Sequence, residues 1–496
     1  MKPWRAAVGL FAGALALYLA NLSLVPLATD SIPNAYLPSS LLGDADLAFS
    51  PFEAPGMFLW KLHGTSGEAA GADVQFWSQT PPGESGTFAD LYAERRLEFD
   101  GWKYYVVPTV RSRASTGEPL FVGVFGPFPG LIALPVVALA QMFGARLWDQ
   151  VPMVASAKLT AAALVAGSVV LIYLIALAYL PARHAALLAT AYGAGTCVWA
   201  ISSQALWQQT AELFFLALGA FFLVRVPTPA WRGALAGLAF SMAAACRPTA
   251  AFVALLVGAW LAFSDRRALA AFALSALPLA AAVAAFNQYY FGSPFDFGQL
   301  AAGARIAQYK TGSPELWQTP VWVGAAGLLA SPSRGLFVYS PFLAMGIAGA
   351  VLAWREERYR PLRVLTLAVP ALWLPAFAWF DWWGGWTFGY RPIVDSVPLL
   401  AVLCIPVLAR VLGHPLWRGA LAVALAWSVF VQALGAFAYS PWGWDARLVD
   451  AARGERASID LPAYRHRLWS FSDWQIGYLI THFAEARAER ARPAIY

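Results

Sequence analysis

Charge is what this sequence has least of. Only 12% of its 496 residues are Asp, Glu, Lys or Arg and 59% are hydrophobic, where roughly a quarter of an ordinary soluble domain is charged. A chain so poor in charge cannot face water on all sides, which excludes a soluble enzyme and leaves an integral membrane protein. Cysteine is scarce too. Cys197, Cys246 and Cys404 are an odd count in or beside apolar stretches, so they build neither a disulfide framework nor a thiolate metal knot. No internal repeat is visible, and the two halves of the chain do not resemble each other.

What the sequence does have is apolar runs. Stretches of about 20 residues, long enough to cross a hydrocarbon core, recur from residue 5 to residue 438 between short loops carrying Arg, Pro or Trp. They are too long and continuous for barrel strands, so the expected fold is all-α and polytopic. The first run, Arg5 to about Leu24, follows basic residues as a secretory signal would. It is longer than a signal core and no small-residue cleavage site follows, so it is read as a retained span. Further spans are expected at 153–180, 185–203, 208–225, 232–247, 249–264, 268–291, 335–354, 361–380, 396–412 and 417–438.

The basic turns set the orientation. Arg225/Arg232, Arg266/Arg267, Arg355/Arg358/Arg360/Arg363 and Arg410/Arg418 all fall on one side of these spans, and that side is expected to be cytoplasmic. The net charge of +6 reports this asymmetry and not a nucleic-acid partner. The segment "GPFPGLIALPVVALAQMFG" (126–144) is apolar enough to cross, but its three prolines suggest a juxtamembrane or re-entrant helix. The count is then about 11 spans, or 12 if it crosses. The chain divides into a first transmembrane helix (1–24), an extracytoplasmic cap (25–152), a helical bundle (153–438) and an extracytoplasmic tail (439–496). The cap holds Gly/Ser/Pro-rich pieces such as "SQTPPGESG" and one strand-like run, "WKYYVVPTVRS" (102–112), consistent with a single hairpin.

Polar residues other than anchoring Lys and Arg gather on the outer side. Asp30 follows the first span in "LATDSIPNAYLPSSLLGD", a stretch that reads as too rich in Pro and Ser for helix. Then come "SSQALWQQTAE" (202–212), "CRPTA" (246–250), "NQYYFGSPFDFG" (287–298), "LLASPSRGLFVYSPF" (328–342) and "DWWGGWTFGYRPIVDSVP" (381–398). Each has a plainer reading: Asp30 as a helix-end carboxylate among headgroups, Arg247 and Arg391 as snorkelling anchors, Trp382, Trp383 and Trp386 as an aromatic belt. Lys158 and Glu212 lie inside apolar runs, where a lone charge needs a partner or a wet cavity. Arg334 and Arg391 stand among turn-forming Gly, Pro and Ser, which suits recognition of a phosphate by charge-assisted hydrogen bonds.

Taken together, "TDSIPNAYLPSSLL", "GTCVWAISSQALWQQTAELF", "RPTA", "YYFGSPFDFG", "LLASPSRGLFVYSPFL", "WWGGWTFGYRPIVDSVPLL" and "RLWSFSDWQ" resemble landmarks of the GT-C glycosyltransferase superfamily. Its bacterial relatives include protein mannosyltransferases and aminoarabinose and arabinofuranosyl transferases. The likeness runs from residue 29 to about residue 475. It implies a GT-C-like bundle with a small extracytoplasmic cap. It also implies a transferase moving a sugar, with inversion, from a polyprenyl-phosphate donor to a glycan, lipid or protein acceptor outside the bacterial cytoplasmic membrane. On this resemblance Asp30 is the catalytic base or the ligand of a divalent metal (Mg or Mn), with no nucleotide or redox cofactor. Arg391, Arg334, Arg247 and Lys158 are candidates for the donor phosphate, and Trp207, Gln208, Glu212, Trp386 and Tyr390 for sugar and acceptor. The chain departs from its relatives in having "GPFPG" where many carry a His-Pro-Pro segment, and Gln208 where a His is expected. A transporter or flippase of a lipid-linked saccharide, and a non-catalytic assembly partner, are the alternatives.

Overall fold

A computed structural model describes residues 3–24, 29–52, 55–63, 74–76, 97–102, 105–113, 119–450 and 455–490, with Leu91, Glu94 and Gly117 singly. The "SQTPPGESG" piece of the cap lies outside them. Helix α1 (Pro3–Leu19) leads through a 3-10 turn, Thr29–Ser31, into α2 (Ile32–Asp44). The Pro- and Ser-rich stretch expected to be irregular is therefore mostly helix. Pro33 sits in the first turn, where a missing N–H leaves no bond unmade; Pro38 lies inside the helix, whose Asn34 and Leu37 pack closely on Gly130.

The cap is a three-stranded antiparallel sheet in the order β2-β1-β3, with β1 (Phe58–Leu62), β2 (Val74–Phe76) and β3 (Leu97–Trp102), beside a separate pair, β4 (Val106–Ser112) and β5 (Pro119–Gly123). One hairpin was too few. Segment 126–144 forms two pieces, α3 (Phe128–Leu131) and α4 (Leu134–Met142). Nine residues of helix reach about 13.5 Å, well short of a hydrocarbon core of about 30 Å.

The bundle follows with α5 (Gln150–Ala176), α6 (Ala182–Ala194), α7 (Gln208–Arg225), α8 (Pro229–Cys246), α9 (Ala250–Ser264) and α10 (Arg266–Phe291). An amphipathic helix, α11 (Gly298–Thr311), then leads to α12 (Val321–Ala330), α13 (Leu336–Tyr339), α14 (Met345–Arg355), α15 (Arg363–Ala378), α16 (Val397–Leu403), α17 (Ile405–Gly413) and α18 (Pro415–Ala438). Among the described residues four helices are long and apolar enough to cross a membrane, or five if the pair bent by 55° at Cys404 is one span. The expected 11 or 12 uninterrupted runs are not all found as long helices. The 335–354 run is broken at Pro341 into α13, a 3-10 turn and α14, the 185–203 run ends in a π-turn (Val198–Ser202), and short apolar α12 was not anticipated.

Helices come together where side chains are missing. A methyl group on Gly233 or Gly237 of α8 would fall inside the backbone of α10 at Ala268 and Phe272, so the two helices touch through a small-xxx-small face. Contacts at 233/268 and 237/272 run in the same sense, which makes α8 and α10 parallel and α9 the return. Arg232 pairs with Asp265 at 3.0 Å where α8 and α10 begin, and Tyr179 packs on Tyr359 at 5.4 Å. The basic turns thus gather at the end opposite Asp30. The C-terminal segment does not trail away: β6 (Ala446–Asp450) and β7 (Glu455–Ser458) form a hairpin, followed by a 3-10 turn (Pro462–Trp469), α19 (Gln475–Thr481) and α20 (Phe483–Arg490). It folds back over the 381–391 loop.

Candidate active site

The loop 381–391 is shaped by glycine. Gly384, Gly385 and Gly389 have φ of 74°, 65° and 57°, a left-handed backbone that L side chains resist. Its path is held from below by Arg334, which donates to the carbonyls of Trp383 (2.9 Å), Gly385 (3.2 Å) and Ser333 (2.7 Å) and to Asp445 (2.7 Å). Gln475 supports the other arm: its amide donates to the Thr387 carbonyl at 2.9 Å, and its oxygen accepts from the Gly389 N–H at 3.1 Å and the Tyr339 hydroxyl at 2.9 Å. Burial pushes the Asp445 carboxyl up to about 6 against the opposing pull of Arg334.

Arg391 emerges from this loop as the first residue of a 3-10 turn, Arg391–Ser396. Its Nη1 donates to Asp30 Oδ2 at 2.9 Å, its Nη2 to the Gly384 carbonyl at 2.8 Å, and its guanidinium lies 4.4 Å from the Trp207 ring centroid. The Asp30 and Arg391 side chains are 28% and 13% exposed, so the pair is reachable from outside the bundle. The same turn carries Asp395, which binds Arg247 at the C-terminus of α8. Glu212, one turn into α7, is 3.6 Å from Arg247. One short turn thus ties both arginines and gathers residues from four separate elements.

This cluster holds polar atoms with nothing to bond. Asp30 Oδ1, Arg391 Nε, Arg247 Nε, Trp207 Nε1, Gln208 Oε1 and both Glu212 carboxylate oxygens are buried without a hydrogen-bond partner among the described residues. Native interiors leave few such groups, and a cluster of them marks hydrogen-bonding capacity open to water or a ligand. A narrow apolar cleft is lined by Pro248, the residue after Arg247, with Phe125, Ala245, Phe286 and Phe291.

Not every expected residue reaches this place. Arg334 is fully buried, and its charge is spent on Asp445 and three carbonyls, so it braces the loop and does not face a phosphate. Tyr390 is likewise wholly buried; its hydroxyl bonds Ser340 (2.7 Å) and accepts from the Cys197 N–H (3.0 Å), so it does not stack on a sugar. Trp386 lies under the C-terminal hairpin, donating to Ser458 at 3.0 Å and packed edge-on against Trp442. Lys158 donates to the Ser23 carbonyl. Trp207, Gln208 and Glu212 are in the cluster. No group of three or more His, Cys, Asp or Glu close enough to hold a metal occurs among the described residues. With one Asp30 oxygen taken by a guanidinium, the donor set there does not fit a divalent ion. Asp395, Gln475 and Asp445 went unread in the sequence. None of the three carried a signal near its partner, since Asp395 binds Arg247, 148 positions away.

No protein-family model matches the chain, and no curated protein matches it by sequence. Among solved structures it is similar to ArnT from Cupriavidus metallidurans bound to undecaprenyl phosphate, with a TM-score of 0.50 and 12% identity over 98% of this chain and 73% of that one. The likeness spans nearly every described element. The likeness is one of fold: the chain adopts an all-α polytopic bundle of the GT-C-like kind expected from its sequence.

Proposed function

We propose that this protein transfers a sugar from a polyprenyl-phosphate donor to an acceptor at the outer face of the cytoplasmic membrane. The observation that carries the reading is the Asp30–Arg391 pair, a carboxylate and a guanidinium that face each other at the mouth of the bundle with hydrogen-bonding capacity left on both. Arg391 and Arg247 supply preorganised positive charge for the phosphate, and the narrow cleft at Pro248 is apolar in its lining, as an isoprenoid chain is. The solved relative in fold holds undecaprenyl phosphate.

On this reading the donor phosphate draws Arg391 away from Asp30, and the freed carboxylate accepts the proton of the acceptor hydroxyl. The acceptor oxygen bonds to the sugar carbon from the face opposite the phosphate as the carbon–oxygen bond to phosphate breaks. The electron pair goes to the phosphate, where the guanidinium groups stabilise it, and the sugar configuration inverts. Trp207, over which Arg391 lies, and Gln208 and Glu212 line the space for the sugar.

The test is a transfer assay on purified protein with a panel of polyprenyl-phosphate sugars and membrane extract as acceptor source. Release of polyprenyl phosphate by wild type, lost in Asp30→Asn while donor binding persists, is the expected outcome. Undiminished release from Asp30→Asn removes that carboxylate from the reaction.

A further inference from the structure

Lys310, the last basic residue of α11, lies outside the cluster yet is built into its support. Its ammonium contacts Asp381 at 2.6 Å and Asp460 at 2.8 Å, with all three side chains mostly buried. Asp381 in turn accepts from the Gly385 N–H at 3.0 Å with its other oxygen. Gly384 and Gly385 form the left-handed turn whose two carbonyls receive Arg391 and Arg334. Unbroken contacts therefore run from Lys310 through Asp381 and the glycine turn to Arg391 and Asp30.

We propose that Lys310 is a positioning residue: it fixes the Asp381 carboxylate, which sets the Gly384–Gly385 turn and so aims Arg391 at Asp30. The purpose assigned to Arg391 rests on the reading above; the positioning itself does not. Three features favour this over a simple tie between loops. Glycines at φ of 74° and 65° offer little stiffness of their own, so the turn needs outside contacts to hold one shape. A bare lysine hung on one carboxylate would swing, but Lys310 is gripped by two. Its helix end is also anchored, since Arg465 donates to the Lys310 carbonyl at 3.2 Å and lies 4.8 Å from the Trp383 ring centroid in the same loop. The second carboxylate, Asp460, belongs to the C-terminal segment and also accepts from Trp383 Nε1 at 3.1 Å.

The experiment uses the full chain in lipid nanodiscs and follows amide hydrogen exchange across residues 384–391 together with binding of undecaprenyl phosphate. Lys310→Met speeds exchange in that segment, without a general rise in the bundle, and weakens binding. Each change is about ten-fold or more, the scale of a lost charge-assisted hydrogen bond. Lys310→Arg restores both, because a guanidinium still bridges the carboxylates. Asp460→Asn keeps an amide oxygen that the ammonium can still donate to and leaves the Asp381 arm in place, so it stays near wild type. Exchange in Lys310→Met as slow as wild type overturns the proposal, and so does an equal loss in Asp460→Asn, which would put the support in the C-terminal segment alone. Faster exchange in Lys310→Met, in a protein whose wild type binds no undecaprenyl phosphate, upholds the positioning and removes the donor reading.

Discussion

Arg247 has two carboxylates within reach and is held by one. Asp395 bonds it directly, whereas Glu212 stands 3.6 Å away with both oxygens free of hydrogen bonds. The two acids should therefore respond differently to loss of charge. Asp395→Asn leaves a nearly buried guanidinium without its main counter-charge and is expected to destabilise the protein by about 3–5 kcal/mol. Glu212→Gln removes a carboxylate that makes no hydrogen bond, so thermal unfolding in detergent should shift little while sugar transfer falls. Equal melting losses in the two variants would mean that Glu212 is a structural partner of Arg247. Residues of this kind show where sequence reading stops. Arg334 and Arg391 both stand between turn formers and look alike on paper. They part company only because Asp445, 111 positions after Arg334, lies beneath one of them. Arg391 instead reaches Asp30, 361 positions away. Neither partner leaves a mark near its arginine.

Elements were legible where an apolar run was continuous and misjudged where backbone detail decides. The runs behind α5, α10 and α18 stand as long helices. The 335–354 run breaks at Pro341, because the ring removes an N–H that a helix needs, and α2 forms in spite of Pro33 because its position there is harmless. Glycine decides how close the helices come. Gly233→Ala drives a methyl into the Ala268 backbone and is expected to lower stability by about 1–3 kcal/mol. Gly258→Ala meets only the Phe272 ring at 3.9 Å and should be neutral. Matching melting temperatures for the two variants would refute the close α8–α10 contact. The α11 latch adds a pH dependence with a definite sign. Burial pushes the Lys310 ammonium down, but Asp381 and Asp460 together outweigh it and hold its pKa above the ordinary 10.5. A raised lysine stabilises fully below its unfolded value and loses that contribution as pH climbs through the higher folded one. The melting difference between wild type and Lys310→Met should stay constant from about pH 7 to about pH 10 and close only in more alkaline solution. A difference that shrinks below about pH 9 would show that the carboxylates do not hold the ammonium.

At the scale of the whole molecule the sequence showed its polarity more clearly than its contacts. Basic turns and polar loops segregate along the chain, and in the fold they stand at opposite ends, with Arg232–Asp265 and Tyr179–Tyr359 far along the helices from Asp30 and Arg391. The excess of arginine at one end is the ground on which that end is proposed to face the cytoplasm, and the protein carries its own means of testing this. Cys197, Cys246 and Cys404 are wholly buried, so wild type should be silent to a membrane-impermeant maleimide. A cysteine placed at exposed Glu315, on the loop between α11 and α12, should react in intact cells. One placed at Arg358, among the basic residues between α14 and α15 and 60% exposed, should react only after the membrane is opened. The reverse pattern would turn the molecule over and put Asp30 on the cytoplasmic side. Labelling at both positions in intact cells would mean that an odd number of the helices between residues 315 and 358 fails to cross, and the broken α13–α14 run is where that error would lie.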